Sequence, residues 1–421
     1  MNSRCDPPPL RCDVAIIGGG PSGLAAATEL KNLGVASVVV LERESQAGGI
    51  PRHCGHPPFG MREFKRIYTG PRYARRLVER AQGAAVTLCL DTSVTALSSG
   101  CVLQLTTPLG LHELRATRVI ICTGVRETPR APRLVSGQRP LGISTTGALQ
   151  SMVYLQNKTP FKNPIILGSE LVSFSALLTC RHARIHPAAM LEKNPRITAR
   201  TGAQLLPGVL GVPLHLNTAL LEILGHQRVS GVMVQNRITG KINTIECDGL
   251  VFSGQFVAES SLMRNSHLQT DPQTGNPVID QYGRCSDPDY FATGNMTHPV
   301  ETAGYCWSNG AHTARHVYDS ISGLLGSDDK RISIVVAAPQ IKYITPQLLA
   351  LPGENTAQQG MTKIQMRFNI ASRGRLSIHA QTGELVAKSV NALPERRVEL
   401  PLPEFSKLNL TTSLEIKFEA A

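Results

Sequence analysis

Residues 50–60 read IPRHCGHPPFG and bring together the side chains most able to do chemistry, His53, Cys54 and His56. A cysteine flanked by histidines can be held as a thiolate and attack an electrophile. The same residues in a glycine- and proline-rich loop can equally serve only to line a cofactor. They could also begin a metal site, but no fourth ligand follows at a ligand spacing, so no metal is assigned. The other nine cysteines, at 5, 12, 89, 101, 122, 180, 247, 285 and 306, form no C-x-x-C with Cys54 or with one another. A lone thiol cannot cycle as an intramolecular disulfide, which excludes dithiol chemistry. Nor do the cysteines cluster as iron–sulfur ligands do. Several sit in apolar runs, Cys89 in VTLCL and Cys122 in VIICTG, which reads as buried free thiols in a reducing, cytoplasmic setting.

The formal net charge is +12, and residues 52–80 alone carry eight Lys/Arg against two Glu. Arg52, Arg62, Lys65, Arg66 and Arg72 could hold a carboxylate or phosphate substrate, or an acidic partner; a solvated helix face is the plainer reading. Aromatic residues make up only 5% and no nucleic-acid module appears, so nucleic acid is not an expected partner.

These side chains need elements to position them. Residues 12–17 (CDVAII) read as a short buried strand that runs into Gly18-Gly19-Gly20-Pro21-Ser22-Gly23 and then an Ala/Leu helix. This is G-x-G-x-x-G in its strand–turn–helix setting. Gly18 makes the turn, Gly20 lets backbone approach a pyrophosphate, and Gly23 lets helix and strand pack closely. The helix N-terminus offers N–H groups to the phosphates. A second strand, 36–41, ends in Glu42, 24 residues after Gly18, where a carboxylate can bind ribose hydroxyls. A further unit begins at 163–168, but its fingerprint has become Gly168-Ser169-Glu170-Leu171-Val172-Ser173. Glu170 stands where the second glycine should be, and its charge would repel a phosphate by roughly 3–4 kcal/mol at an effective dielectric near 20 unless it turns away. Glu192 nevertheless follows Gly168 by the same 24 residues. Two readings stand: the unit has lost NAD(P), or a nucleotide still sits against Gly168, Ser169, Glu170 and Glu192.

After Glu42 come Arg43-Glu44 and then the pair Gly48-Gly49. With these residues the chain resembles the two-dinucleotide-binding-domain flavoproteins, the superfamily of the disulfide reductases. The stretch 118–124, ending in Thr123-Gly124, resembles that superfamily's strand beside the FAD. Residues 290–295 (YFATGN), continuing to Glu301-Thr302-Ala303, resemble its late FAD segment, with Asn295 in place of the usual Asp. The resemblance implies FAD contacts from Gly18, Gly20, Pro21, Ser22, Gly23, Glu42, Arg43, Gly48, Gly49, Arg52, Val94, Thr123, Gly124, Gly294, Asn295, Glu301, Thr302 and Ala303. It implies flavin-side chemistry at His53, Cys54, His56 and His298, and NAD(P) as a doubtful second cofactor. The stretch 48–71 resembles the FAD/NAD-type subunits of opine oxidase, hydrogen cyanide synthase, dye-linked proline or hydroxyproline dehydrogenase and sarcosine oxidase. It most resembles the branch associated with glycerol-3-phosphate-dehydrogenase-like flavoproteins.

At 421 residues, with 42% apolar and 18% charged, the chain has length for several packed domains and excludes a disordered or coiled-coil protein. The expected fold is α/β, with two Rossmann-like dinucleotide-binding domains of the disulfide-reductase-like type. Expected boundaries are 1–143 and 252–330 for the FAD domain and 144–251 for the off-pattern nucleotide domain. Alternating runs at 361–370, 374–380, 384–389, 396–400 and 413–418 predict an antiparallel, sandwich-like β-domain over 331–421. No run is apolar enough to span a membrane, and the first residues lack a secretory signal. The chain is therefore expected in the cytoplasm, at most peripheral to a membrane through a partner.

The resemblance implies an FAD-dependent dehydrogenase subunit. It would pass electrons from a small amino-acid, imino-acid or hydroxy-phosphate substrate to a partner flavoprotein or iron–sulfur subunit, in a hetero-oligomer. Two other readings stand beside it: a stand-alone NAD(P)H-dependent flavin reductase or oxidase, and a non-catalytic subunit that holds FAD.

Overall fold

Val38–Leu41 is an all-apolar run, and each of its residues is buried. A strand of that kind must be covered on both faces, which is the environment of a parallel sheet. The computed structural model, which describes residues 8–199, 202–325, 330–351, 360–408 and 412–421, places it so. It pairs in parallel with Arg11–Ile17 on one side and Thr87–Cys89 on the other. Arg11–Ile17 pairs in parallel with Gly110–Ile121, which in turn pairs in parallel with Tyr290–Ala292. Val102–Thr107 and Ser93–Ser98 extend the sheet as an antiparallel meander. The chain divides into two compact units, and this sheet belongs to the first, made of Met1–Gly49, Ala74–Val125 and Ala258–Ala421.

Helix Pro21–Asn32 follows the first strand with Pro at its first position, where a missing N–H costs nothing. It stops at Leu33, and Gly34 takes φ +93, the left-handed exit that glycine supplies at low cost. Its Leu24, Ala25, Ala26, Ala27 and Leu30 are buried, and the 19-residue helix Ala303–Ile321 packs against it.

The same unit ends in β-structure. One sheet has five strands, and its Ser372–Ala380 pairs antiparallel with Gly383–Ala392 and Ser413–Ala420. The other has three, Ile341–Thr345, Lys363–Phe368 and Val398–Pro401. Ile364, Met366, Phe368, Leu376, Ile378, Leu400, Leu414 and Ile416 form its core. One pairing departs from the antiparallel expectation: Arg331–Val336 runs parallel to Ser413–Ala420. Period-two patterning sets which face is buried, but direction depends on the connection.

The second unit comprises Ile50–Tyr73 and Arg126–Val257. Its five-stranded sheet is parallel throughout, in the order Leu214–His215, Ala189–Leu191, Pro164–Leu167, Gly249–Phe252, Ile143–Thr145. Helix Leu171–His182 makes the crossover after Pro164–Leu167. A four-stranded sheet including Thr218–Leu224, Gly231–Asn236 and Ile242–Glu246 belongs to the same unit. The protein is thus α/β with two Rossmann-like domains and a C-terminal β-domain. Among the described residues no helix is long and apolar enough to cross a membrane.

Candidate functional site: an FAD cradle and a second nucleotide frame

In the first unit, the turn after Arg11–Ile17 is built for close approach. Gly18 has φ +104, and a Cβ there would lie 2.6 Å from the Cys122 carbonyl oxygen. A Cβ on Gly23 would lie 2.0 Å from the Gly18 carbonyl oxygen, so the helix can approach the strand this closely only without one. Gly20 is the N-cap of Pro21–Asn32 and no side chain caps that end. The first helical N–H groups, Ser22 among them, therefore remain for an anion.

Glu42 is buried; its Oε2 accepts from Gly19 N at 2.8 Å and its Oε1 from Glu44 N at 3.0 Å. Burial pushes the carboxyl up, while those two N–H groups favour the ionised form. Each oxygen keeps a lone pair for a ribose hydroxyl. Gly48 donates its N–H to Gly19 O at 2.7 Å, and a Cβ on Gly49 would lie 2.8 Å from Gly20 Cα. These residues fit FAD: a side-chain-free cradle, an uncapped helix terminus and an acid at the ribose end. FAD, when bound there, supplies hydride and electron acceptance.

Thr123 donates its hydroxyl to Glu259 O at 2.7 Å, and Gly124 O accepts from Glu259 N at 2.9 Å. A Cβ on Gly294 would lie 2.5 Å from Ser22 Oγ, so the late segment meets the glycine turn. Asn295 is occupied at both ends of its amide: Oδ1 accepts from Glu301 N at 2.9 Å and Nδ2 donates to Glu301 O at 3.2 Å. Thr302 caps Ala303–Ile321 through Tyr305 N. His298 is 1% exposed; its Nε2 lies 3.2 Å from Glu301 Oε1, and its Nδ1 has no hydrogen-bond partner among the described residues. Burial pushes the imidazole below its usual value. Burial raises Glu301 too, but His298, Arg397 and Arg367 outweigh it and hold the carboxyl low. Val300, between them, has φ +74, a conformation that costs a β-branched residue about 1–3 kcal/mol. Arg43 is exposed, and Val94 packs on the sheet core from an edge strand.

The second unit carries its own frame. Gly168 has φ +115, the counterpart of Gly18. Ser169 donates its hydroxyl to Glu192 Oε2, and Glu192 Oε1 accepts from Asn194 N at 2.9 Å and Asn194 Nδ2 at 2.8 Å. Glu192 thus ties back to the residue after Gly168, as Glu42 ties back to the residue after Gly18. Glu170 is the N-cap of Leu171–His182 but makes no capping bond. Its Oε1 accepts instead from Gln255 N at 2.7 Å.

Two neighbours there gave only a faint sequence signal. Glu127 accepts from Gly147 N at 2.7 Å and Gly254 N at 2.9 Å; burial raises it against those bonds. Arg133 donates to Gly254 O at 2.8 Å, close to both Glu127 and Glu170. Glu127 is the one acid among six Arg in residues 115–139, an oddity that could have drawn notice. The frame fits a dinucleotide at its ribose end, with Glu170 the group that must stay aside for the phosphates.

The His53–Cys54–His56 segment and Arg52 also lie in the second unit, in or next to the short helical turn Ile50–His53. Cys54 is buried, with Sγ 3.5 Å from both Ile50 O and Gln150 Oε1. Burial, with a smaller contribution from the Glu127 charge, pushes the thiol up to about 12. At neutral pH it is a thiol. His56 Nδ1 lies 2.9 Å from Pro57 O, and its Nε2 hydrogen-bonds Ser175 Oγ, which also accepts from Gln150 Nε2 at 2.7 Å. Among the described residues no group of three or more His, Cys, Asp or Glu is placed to hold a metal.

Residues 12–316 match the model of the pyridine nucleotide-disulphide oxidoreductase family. The chain is 24% identical over 317 residues to thioredoxin reductase of Treponema pallidum (strain Nichols), covering 73% of this chain and 98% of that one. It is 21% identical over 298 residues to ferredoxin–NADP reductase of Picrophilus torridus, covering 68% and 85%. In fold it is similar to T. acidophilum thioredoxin reductase, with TM-score 0.62 and 22% identity over 74% of this chain and all of that one. This chain belongs to the pyridine nucleotide-disulphide oxidoreductase family, whose members bind FAD and usually NAD(P), and it is an FAD-dependent oxidoreductase.

Proposed function

We propose that the chain works by itself as an NAD(P)H-dependent FAD reductase or oxidase whose electrons leave the flavin for an acceptor other than its own cysteines. The carrying observation is that two nucleotide frames are built alike in one chain. Glu42 ties to Gly19 in the first, Glu192 ties to Ser169 in the second, and Glu170 is drawn off its helix terminus onto the Gln255 N–H. The uncapped helix Pro21–Asn32 would hold the FAD pyrophosphate and Glu42 its ribose. Glu192 would orient the ribose of the nicotinamide nucleotide. Among the described residues, Cys12, Cys54, Cys101, Cys122, Cys180, Cys247, Cys285 and Cys306 are buried free thiols, which supports an acceptor other than a disulfide of this chain.

The subunit reading keeps one specific observation in its favour. Glu170, though turned to the Gln255 N–H, stays beside the second glycine turn, its Oε1 2.4 Å from where a Cβ on Gly254 would be. There it would repel a pyrophosphate and leave the flavin to a partner's electrons.

Anaerobic titration of the purified holoprotein with NADH and with NADPH separates the two. Prompt loss of the flavin absorbance near 450 nm is expected. A flavin that stays oxidised under both nucleotides, yet bleaches with a co-purified partner and an amino acid or glycerol phosphate, overturns the proposal for the subunit reading.

A further inference from the structure

Strands Arg11–Ile17, Gly110–Ile121 and Tyr290–Ala292 are parallel neighbours, so the segments that leave their carboxyl ends share one edge. That edge is where open α/β sheets bind ligands. It holds the Gly18–Gly23 turn, Thr123-Gly124 and residues 293–301, and Gly294 against Ser22 fixes the last of these at the cradle.

The 297–301 loop is tied to its own segment by the Asn295 amide at Glu301, and it is held from outside as well. Three side chains from the C-terminal β-domain grip it. Tyr343 donates its hydroxyl to Pro299 O at 2.9 Å, Thr345 donates to Thr297 O at 2.8 Å, and Arg367 Nη2 donates to Glu301 Oε1 at 2.9 Å. The pair is buried, with side chains 9% and 10% exposed. The grip straddles Val300 in its left-handed conformation, which persists only where the surroundings over-determine it. His298 is buried against Tyr343 and Tyr305, and Arg397 stacks on the Tyr305 ring at 4.2 Å.

We propose that Arg367 is a positioning residue through which the C-terminal β-domain sets the reduction potential of the bound flavin, by balancing the Glu301 charge on a loop that Tyr343 and Thr345 lock in place. Reduction adds negative charge to a flavin. A buried carboxylate near it opposes that change, and a buried guanidinium favours it. The two charges oppose one another while paired, and Arg397 also acts on Glu301, so removing Glu301 leaves an excess of positive charge and removing Arg367 leaves Glu301 balanced by Arg397 alone.

The proposal rests on FAD binding at the Gly18–Gly23 cradle. It is tested on holoprotein at pH 8, where the low-titrating His298 is neutral, by measuring flavin midpoint potential and FAD retention in three variants. Glu301→Gln should raise the potential and Arg367→Ala lower it, with Arg367→Lys close to wild type, each potential being read on protein whose FAD content is measured. Arg367→Gln replaces Arg367→Ala if the latter does not fold. Shifts in the same direction for Glu301→Gln and the neutral Arg367 variants, no shift in either, or an Arg367→Lys that behaves like the neutral variant would overturn the proposal. Wild-type protein that binds no FAD would instead defeat the cofactor reading beneath it.

Discussion

Single residues carry the chemistry here, and their surroundings set their protonation. Cys54 looks reactive between two histidines, yet burial holds its thiol near 12. Cys54→Ala is therefore expected to reduce its flavin within about twofold of the wild-type rate, since a thiol this rarely ionised contributes little as a nucleophile. A tenfold loss would make Cys54 a reacting group. Glu170 is the complementary case, an acid placed where a phosphate belongs. Its carboxylate is held on the Gln255 N–H, so Glu170→Gly should leave NADH and NADPH affinity within about threefold; a tightening of about 10-fold or more by fluorescence titration, the size expected from removing a like charge, would show that Glu170 still opposes the phosphates.

His316 gives a pH signature. It is buried, its Nδ1 lies 3.0 Å from Tyr282 O, and burial pulls its pKa to about 4 from 6.5. The unfolded chain therefore takes up this proton first. Stability falls as pH drops from about 6.5 to 4, by at most about 3 kcal/mol in total. The neutral variant His316→Gln should show a shallower fall in Tm across that window than wild type. Equal slopes would mean that other groups govern the acid limb.

At the level of elements, the strand–turn–helix unit is decided by how closely two backbones can approach. Gly23→Ala would place a carbon 2.0 Å from the Gly18 carbonyl, and neither group is free to move because both belong to the main chain of the sheet and its helix. The expected result is protein that folds its other sheets but purifies with little flavin, read from the ratio of absorbance near 450 nm to that at 280 nm. Full flavin content would show that helix and strand can part without cost to the cradle. The C-terminal sheets work by the same logic from outside. Their cross-strand packing presents Tyr343, Thr345 and Arg367 from strands Ile341–Thr345 and Lys363–Phe368, so a strand register governs a loop that is distant in sequence.

For the whole molecule, the thiols report integrity. The nine described cysteines are buried, and burial raises those at 12, 54, 101, 122, 180, 247, 285 and 306. Thiol reagent should label these nine only after denaturation, followed by mass spectrometry. Rapid native labelling at any of them would place that residue in a locally opened segment.

The parts of the fold whose physics is local are legible in the order of the residues. Glycine spacing, the apolar runs before it and the acids at Glu42 and Glu192 specify strand, turn and helix, because steric fit and two-residue periodicity act over a few residues. The alternating runs after residue 360 likewise declare strands. Tertiary structure alone decided what depends on partners far apart in the chain. Cys54 is silenced by its burial, with a smaller effect from Glu127. Glu170 is held by Gln255, and Glu301 by Arg367, 66 residues away. Nothing in the alternation of Lys363–Phe368 marks its arginine as the counter-ion of Glu301. Charge pairing, desolvation and the strain at Val300 arise only when those strands and loops are brought together.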